Sequence, residues 1–360
     1  MRKNVTRLAA VGMVLTLTAC STATQPAEST APAETTAAED AAPAETAGES
    51  SEGEESGAAV GNIVTDGEGW YLWDESGNLT LEGRGADGTT AVVSSGKYEA
   101  SKAGIEILKA GGNAVDAAVA VSYALGVTEP NSSGIGGGGF MTIHSADGDT
   151  VFVNFREKAP AAATPEMWQL DAEGNVIGNQ KSIGGKSVGI PGNVRGMEYA
   201  FENYGSGNVT WQDVLAPAID LAENGFLVTP TLYNDMFGSY DAMMAYPEFG
   251  DVYLNEDGLN YQVGDTFKNP DLAKTLTTIA EKGADAFYTG AMAQKIVDTV
   301  NKYGGLFTMA DMENYEVEIM EPAKGTYRGY QIISSPLPSS GGAHVIEALN
   351  IMENFDIGSM

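Results

Sequence analysis

From residue 91 onward, apolar positions recur along the chain at two spacings, one typical of helices and one typical of strands. A spacing of three or four residues predicts helices over 98–110 and 113–126, and Asn113 is placed to cap the second helix. The apolar side of the second helix is mostly alanine and valine, so another element can pack unusually close to it. The same spacing predicts further helices over 211–223, 272–282, 291–302, 309–315 and 343–354.

Strands are indicated by alternating apolar and polar residues between turn signals. Two such runs, 140–144 and 151–155, flank Asp147-Gly148, a pair that favours a hairpin turn. Shorter runs predict strands over 91–94 and 331–334. No internal repeat is visible. Strands interspersed with helical blocks favour a sheet covered by helices.

A run of glycines, 134–139 with one isoleucine, separates the second predicted helix from the first strand of the hairpin. Its spacing satisfies the fingerprint of a dinucleotide-binding loop. Such a loop, however, follows a strand and opens a helix, whereas this one follows a helix and opens a strand. The run is therefore interpreted either as a loop that allows close packing or as part of the wall of an active site.

Arg156 is the candidate binding residue, because it stands at the end of the second hairpin strand between Phe155 and Glu157. A guanidinium group has the planar geometry that holds a carboxylate through two parallel hydrogen bonds. The alternative is an ordinary solvated pair with Glu157 at the surface, which would contribute little. Glu157 either orients Arg156 or has a structural role.

Several motifs in order carry a family resemblance. They are GGNAVDAAVA at 111–120, SGIGGGGF at 133–140, FREKAP at 155–160, VGIPGNVRGM at 188–197, WQDVLAPAIDLAENGFLV at 211–228, DAFYTG at 285–290 and PLPSSGGAHVIEALNIMENFD at 336–356. Together they resemble the large-subunit half of the γ-glutamyltransferase (glutathione hydrolase) family, which belongs to the N-terminal-nucleophile hydrolases. The resemblance covers residues 91–360.

The resemblance implies an α+β fold, an αββα sandwich of the N-terminal-nucleophile hydrolase type that is incomplete in this chain. It also implies that Arg156 binds the α-carboxylate of a γ-glutamyl group. The chain departs from the common family pattern at Asn154 and Lys158, and neither change removes the arginine. The family's nucleophile is a threonine of the small subunit, expected beyond the end of this chain, so no catalytic residue is expected here and the chain alone is expected to be inactive.

The implied function is transfer of a γ-glutamyl group from glutathione-like donors to water or to amino-acid and peptide acceptors. The implied partners are such a small-molecule donor and a small subunit that carries the threonine. Two alternatives stay open. One is a related acylase that acts on other amides, and the other is a non-catalytic surface lipoprotein that binds amino acids or peptides.

The first residues have the pattern of an export signal. Basic residues precede an apolar run at 8–17 that is too short to span a bilayer, and the run ends in the sequence LTAC at 17–20. That ending resembles the bacterial lipobox, so residues 1–20 are predicted to be a lipoprotein signal peptide with lipidation at Cys20. An ordinary signal followed by a cysteine is the alternative. The expected location is outside the cytoplasm, anchored to the cell membrane by lipid.

Composition separates the next segments from the body of the protein. Residues 21–59 carry nine acidic and no basic side chains and few apolar ones, which predicts a disordered acidic linker. Residues 60–90 contain aromatic residues around turn signals and are interpreted as a possible small hairpin extension. From residue 91 the chain has the composition of a globular body, with 43% hydrophobic residues overall.

The remaining composition excludes several classes of function. A net charge of −30 argues against binding nucleic acid, which requires a basic face. Cys20 is the single cysteine, so no disulfide within the chain is expected. The two histidines, His144 and His344, lie far apart, and no residues have metal-ligand spacing, so neither a metal nor a cofactor is expected. A Ser-His-Asp site stays open, although no G-x-S-x-G motif supports it.

Overall fold

The computed structural model describes residues 88–360. The predicted signal peptide at 1–20 with Cys20, the acidic linker at 21–59 and nearly all of the hairpin extension at 60–90 lie outside the described residues. The described helices are α1 (Tyr98–Lys109), α2 (Ala114–Thr128), α3 (Asn193–Tyr204), α4 (Trp211–Asn224), α5 (Pro230–Gly238), α6 (Tyr240–Ala245), α7 (Pro247–Tyr253), α8 (Pro270–Lys282), α9 (Asp285–Tyr288), α10 (Gly290–Lys302), α11 (Met309–Glu313) and α12 (Gly341–Met352). The described strands are β1 (Phe140–His144), β2 (Thr150–Asn154), β3 (Phe226–Leu227), β4 (Thr266–Phe267), β5 (Glu318–Met320), β6 (Ala323–Tyr327) and β7 (Tyr330–Ser334).

Helix α2 begins where the sequence predicts it, because Asn113 forms a complete capping box. Its side-chain oxygen accepts hydrogen bonds from the amides of Val115 and Asp116, and the Asp116 carboxylate accepts one from the Asn113 amide. Along the helix, Val119 and Ala120 are fully buried, with α1 and α4 packed beside them. Small side chains on α2 therefore allow the close packing that the sequence indicates.

The predicted hairpin of β1 and β2 is confirmed. The two strands are antiparallel, and Thr142 lies opposite Phe152. Strand β5 adds to the outer side of β2, with Val153 opposite Ile319, to give a three-stranded sheet in the order β1-β2-β5. The strands β3 and β4 form a second small sheet, and β6 and β7 form a third.

The predicted strand at 91–94 is wrong. These residues form no strand ladder with any other described residue, and the Val92 side chain is 68% exposed. A β-branched run favours an extended backbone, but a strand also needs a neighbour to accept its hydrogen bonds. The predicted helices and the strand at 331–334 are confirmed, most with ends shifted by one or two residues.

The main hydrophobic core lies between α2, α3, α4, α8 and the inner face of the three-stranded sheet. Leu215, Ile279 and Tyr288 are completely buried in it. The C-terminal unit of β6, β7 and α12 differs, since only Gly342 of α12 is buried and apolar side chains such as Ile351 are exposed. Among residues 88–360, no helix combines the length and apolarity needed to cross a bilayer.

Candidate functional site

Arg156 lies two residues beyond the end of β2, and its backbone is held at both polar groups. Its amide donates a 3.1 Å hydrogen bond to Oδ1 of Asn154, and its carbonyl accepts a 2.8 Å hydrogen bond from the hydroxyl of Tyr315. The side chain is exposed, with the guanidinium carbon 6.0 Å from the centre of the Phe140 ring. Within residues 88–360, Arg156 takes part in no ion pair. The backbone of Arg156 is thus held by two hydrogen bonds, while the N–H donors of its guanidinium are available to a ligand.

The glycine run packs directly against the arginine segment. Gly139 exchanges two backbone hydrogen bonds with Phe155, of 3.3 and 3.0 Å, which extends the hairpin by one pair. A Cβ atom on Gly138 would lie 2.4 Å from the Phe155 carbonyl oxygen and 2.9 Å from the Glu157 nitrogen. Only glycine permits this approach. The run follows α2 and opens β1, as predicted, which is not the setting of a dinucleotide-binding loop.

The opposite flank of the arginine segment is held by the residues that precede α3. Lys158 and Ile190 exchange backbone hydrogen bonds of 3.2 and 2.7 Å. Next to them, the Gly192 amide donates to the Gly137 carbonyl over 2.8 Å and so ties the glycine run to the start of α3. The segment around Arg156 is therefore clamped between two glycine-containing loops.

Asn154 and Lys158, two residues before and two residues after Arg156, both contact Glu318 on β5. The Asn154 side-chain amide donates a 3.1 Å hydrogen bond to Glu318, and the Lys158 ammonium lies 3.2 Å from the same carboxylate. Asn154 is 7% exposed, whereas the Lys158 and Glu318 side chains are 42% and 52% exposed. The exposed ion pair adds little energy. The hydrogen bond from the Asn154 side-chain amide to Glu318 holds Asn154 where its Oδ1 accepts the hydrogen bond from the Arg156 amide.

A cavity of about 740 Å³ lies beside the glycine run. Its wall includes the glycines, one face of α2 with Ser122, the ring of Phe155, Glu157 and Asn193 from the start of α3. Phe155 and Glu157, which flank Arg156 in the chain, line this cavity, and so does Phe140, whose ring centre lies 6.0 Å from the guanidinium carbon; Arg156 itself is not a lining residue. Its size lies in the range usual for small-molecule sites, and both polar and apolar groups line it.

Two buried tyrosines behind the arginine segment were not found from the sequence. The ring of Tyr315 stacks on that of Tyr288, with centroids 5.7 Å apart and an interplanar angle of 13°. Burial raises the pKa of both hydroxyls well above the ordinary value, so both stay protonated donors. Nothing local marks Tyr315, because it lies 159 positions from Arg156 in the chain.

Among residues 88–360, neither histidine side chain is hydrogen-bonded to a serine hydroxyl or a carboxylate. His144 lies on β1, where its Nδ1 is 2.7 Å from the Thr150 hydroxyl, and His344 is an exposed residue of α12. In the part of the chain that the structure describes, no three His, Cys, Asp or Glu side chains are grouped to hold a metal ion.

Comparisons with known proteins agree with the sequence motifs. The family model described as gamma-glutamyltranspeptidase matches residues 100–360. A glutathione hydrolase proenzyme of Pseudomonas sp. (strain A14) is 45% identical over 265 residues, which are 73% of this chain and 45% of that protein. An acylase ACY 1 proenzyme of Pseudomonas sp. (strain SE83) is 39% identical over 288 residues, which are 79% of this chain and 51% of that protein. The chain thus spans about half the length of the curated relatives it matches.

A solved structure shows the same fold. The gamma-glutamyltranspeptidase of Helicobacter pylori superposes with a TM-score of 0.73 at 40% sequence identity, over 76% of this chain and 78% of that chain. The predicted fold class, α+β of the N-terminal-nucleophile hydrolase type, is confirmed.

Proposed function

The chain belongs to the gamma-glutamyltranspeptidase family, and on that premise we propose that residues 91–360 act as the large-subunit region of a γ-glutamyltransferase (glutathione hydrolase). The observation that carries this proposal is the geometry of Arg156. Its backbone is fixed by Asn154 and Tyr315, and its guanidinium carbon lies 6.0 Å from the ring centre of Phe140, a residue that lines the cavity. The guanidinium has no ion-pair partner among the described residues.

Arg156 holds the α-carboxylate of the γ-glutamyl donor in this proposal. Two parallel N–H···O bonds between a guanidinium and a carboxylate fix direction as well as distance. The donor's γ-carbonyl carbon is then presented at a set position relative to the carboxylate. Such orientation converts loose encounters into productive ones and supplies a large share of the rate in acyl transfer.

The covalent step requires a partner segment. A threonine hydroxyl on that segment attacks the γ-carbonyl carbon, and its own α-amino group takes the proton. The tetrahedral intermediate collapses, the amide C–N bond breaks, and the leaving amine carries away that proton. Water or an acceptor amine then attacks the γ-glutamyl ester and restores the hydroxyl. Backbone N–H groups of the partner segment stabilise the oxyanion in both steps.

The proposed donor is glutathione or a similar γ-glutamyl compound, and the proposed partner is a small subunit that carries the threonine. Support comes from relatives named glutathione hydrolase proenzymes. A second candidate reaction is hydrolysis of other amides, favoured by the similarity to the acylase proenzyme. An acylase without need of an α-carboxylate would have no use for the carboxylate-binding geometry of Arg156, so the first candidate is preferred.

Export and a lipid anchor are part of the same proposal. The run LTAC at 17–20 follows a short apolar stretch, and lipidation of Cys20 would hold the folded body at the outer side of the cell membrane through the acidic segment 21–59.

The experiment is co-expression of the chain with a small-subunit segment that carries the threonine, followed by kinetics with a γ-glutamyl anilide. The complex is expected to release the aniline.

Arg156→Lys keeps the charge but loses the two-pronged geometry, so KM should rise roughly tenfold or more while kcat changes less. Arg328→Lys at the β6–β7 turn makes the same substitution at another exposed arginine and should leave KM unchanged. An unchanged KM in Arg156→Ala would remove the assignment, and a complex that binds glutamate without turnover would favour the non-catalytic alternative.

A further inference from the structure

Tyr315 stabilises the position of Arg156 through a hydrogen bond to its backbone rather than to its side chain. Its hydroxyl donates a 2.8 Å hydrogen bond to the Arg156 carbonyl, and the residue is only 4% exposed. The Arg156 amide is already bound to Asn154. With both polar groups occupied, the peptide planes on either side of Arg156 have little freedom to rotate, and the direction of its Cα–Cβ bond is set.

The structure has space for this hydroxyl because residue 192 is a glycine. A Cβ atom on Gly192 would lie 2.1 Å from the Tyr315 hydroxyl oxygen and 2.1 Å from the Phe155 carbonyl oxygen. Any side chain there would displace the tyrosine or the strand end that leads to Arg156. The close approach of three segments at one point therefore depends on a residue with no side chain.

Tyr315 is itself held by a second tyrosine, Tyr288 at the end of α9, which is hydrogen-bonded to the start of α3. The Tyr288 hydroxyl donates a 2.9 Å hydrogen bond to the Pro191 carbonyl and accepts a 3.2 Å bond from the Arg195 amide, and its ring stacks on Tyr315. The guanidinium of Arg195 lies 4.8 Å from the Tyr288 ring centre and pairs with Asp285. A continuous set of contacts thus runs from the N-terminal turn of α3 to the Arg156 carbonyl.

The hydroxyl of Tyr315 remains a donor at any pH at which the protein would be assayed. Burial raises its pKa well above the ordinary value of a tyrosine, and nearby Tyr288, Glu157 and Glu318 raise it further. Its hydrogen bond to the carbonyl is therefore constant, and an effect of losing it should not depend on pH below about pH 10.

We propose that Tyr315 is a positioning residue that directs the Arg156 guanidinium toward the α-carboxylate of the donor, an inference that rests on the proposed function. Tyr315 does not touch the substrate in this account. Its contribution is to hold the peptide that carries the arginine. Removing its hydroxyl should therefore lower kcat/KM only for donors that present a carboxylate to Arg156.

The test uses Tyr315→Phe, which removes the hydroxyl and keeps the ring in its stack. Tyr240→Phe is the matched control, since the Tyr240 hydroxyl also donates to a backbone carbonyl, that of Gly258, at a site remote from Arg156 in the chain. Both variants are made in the full chain and co-expressed with the threonine-bearing segment. Each complex is assayed with a γ-glutamyl anilide and with the same compound in which an α-carboxamide replaces the α-carboxylate.

Tyr315→Phe is expected to lower kcat/KM for the carboxylate donor by roughly fivefold to tenfold, mostly through KM, with the same ratio across the neutral pH range. For the carboxamide donor the change should be less than about twofold, because that donor lacks the charge that Arg156 holds. Tyr240→Phe should change neither value. Equal losses for the two donors, or no loss with the carboxylate donor, would overturn the proposal.

Hydrogen–deuterium exchange of the full chain gives a readout that does not need turnover. The Arg156 amide is expected to exchange faster in Tyr315→Phe than in the unaltered chain or in Tyr240→Phe. Unchanged exchange at Arg156 overturns the positioning role whatever the activity. If the unaltered complex has no activity on the γ-glutamyl anilide, the proposed function fails, and faster exchange at Arg156 would still support the hold of Tyr315 on this segment.

Discussion

Replacing Gly138 with alanine should separate the glycine run from the arginine segment. The added Cβ would lie 2.4 Å from the Phe155 carbonyl oxygen, 2.9 Å from the Glu157 nitrogen and 3.0 Å from the Arg156 carbonyl carbon. All three are backbone atoms, which cannot rotate away as a side chain can. The loop must retreat by roughly 1 Å to restore ordinary contact.

The expected cost is about 1–3 kcal/mol of the free energy of unfolding, the usual range for overpacking. Since about 1 kcal/mol shifts the midpoint of a domain of this size by about 2–4 °C, Tm should fall by several degrees. The matched control is Gly136→Ala in the same loop, where an added Cβ would meet nothing within 4 Å. That substitution should leave Tm unchanged or raise it slightly, because it only removes freedom from the unfolded chain.

The assay is thermal unfolding of the two alanine variants and the unaltered chain, each in complex with the threonine-bearing segment. In the same samples, KM for a γ-glutamyl anilide should rise more in Gly138→Ala than in Gly136→Ala. Equal midpoints and equal KM values for the two variants would refute the idea that this loop is glycine-rich in order to lie against Arg156.

Three further outcomes are expected. Thr210→Ala should remove the cap of α4 and lower the free energy of unfolding, measured with denaturant, by about 1 kcal/mol. Hydrogen bonds from Thr210 lower the pKa of Asp213, so the stability that Asp213 adds is present above its unfolded pKa of about 4 and is lost as pH falls through the lower folded pKa. Thr210→Ala should weaken this pH dependence of stability. Mass spectrometry of the mature N-terminus should show a lipidated Cys20, and an unmodified start elsewhere would contradict this. Ile351→Lys on the exposed apolar side of α12 should reduce co-purification of the threonine-bearing segment, whereas Glu347→Lys on the same helix should not.

Local signals in the sequence were sufficient to predict helix α2 and the hairpin of β1 and β2, the elements that lead into the glycine run and to Arg156. The capping box at Asn113 fixes the start of α2, and Asp147-Gly148 fixes the register of β1 and β2. Both depend on residues within a few positions of one another. The position of Arg156 at the end of that hairpin follows directly from the register, and the family resemblance is what favoured a carboxylate-binding role for it over a solvated surface pair.

Contacts between distant segments could not be predicted in the same way. The bond from Tyr315 to Arg156 and the close approach of Gly192 join three parts of the chain, and no periodicity records which parts meet. The strand predicted at 91–94 failed for the same reason, since β-branched residues indicate an extended backbone but not a partner. Short helices such as α6 and α7 and the two-residue strands β3 and β4 carry too few residues to show a period.

A crystal structure of the assembled complex with L-glutamate tests the central claim most directly. The glutamate α-carboxylate is expected to accept two hydrogen bonds of about 2.7–2.9 Å from the Arg156 guanidinium, with its γ-carboxyl directed toward the threonine hydroxyl of the partner segment. A glutamate bound with its α-carboxylate on other residues, while Arg156 faces solvent, would contradict the assignment of Arg156 as the carboxylate anchor.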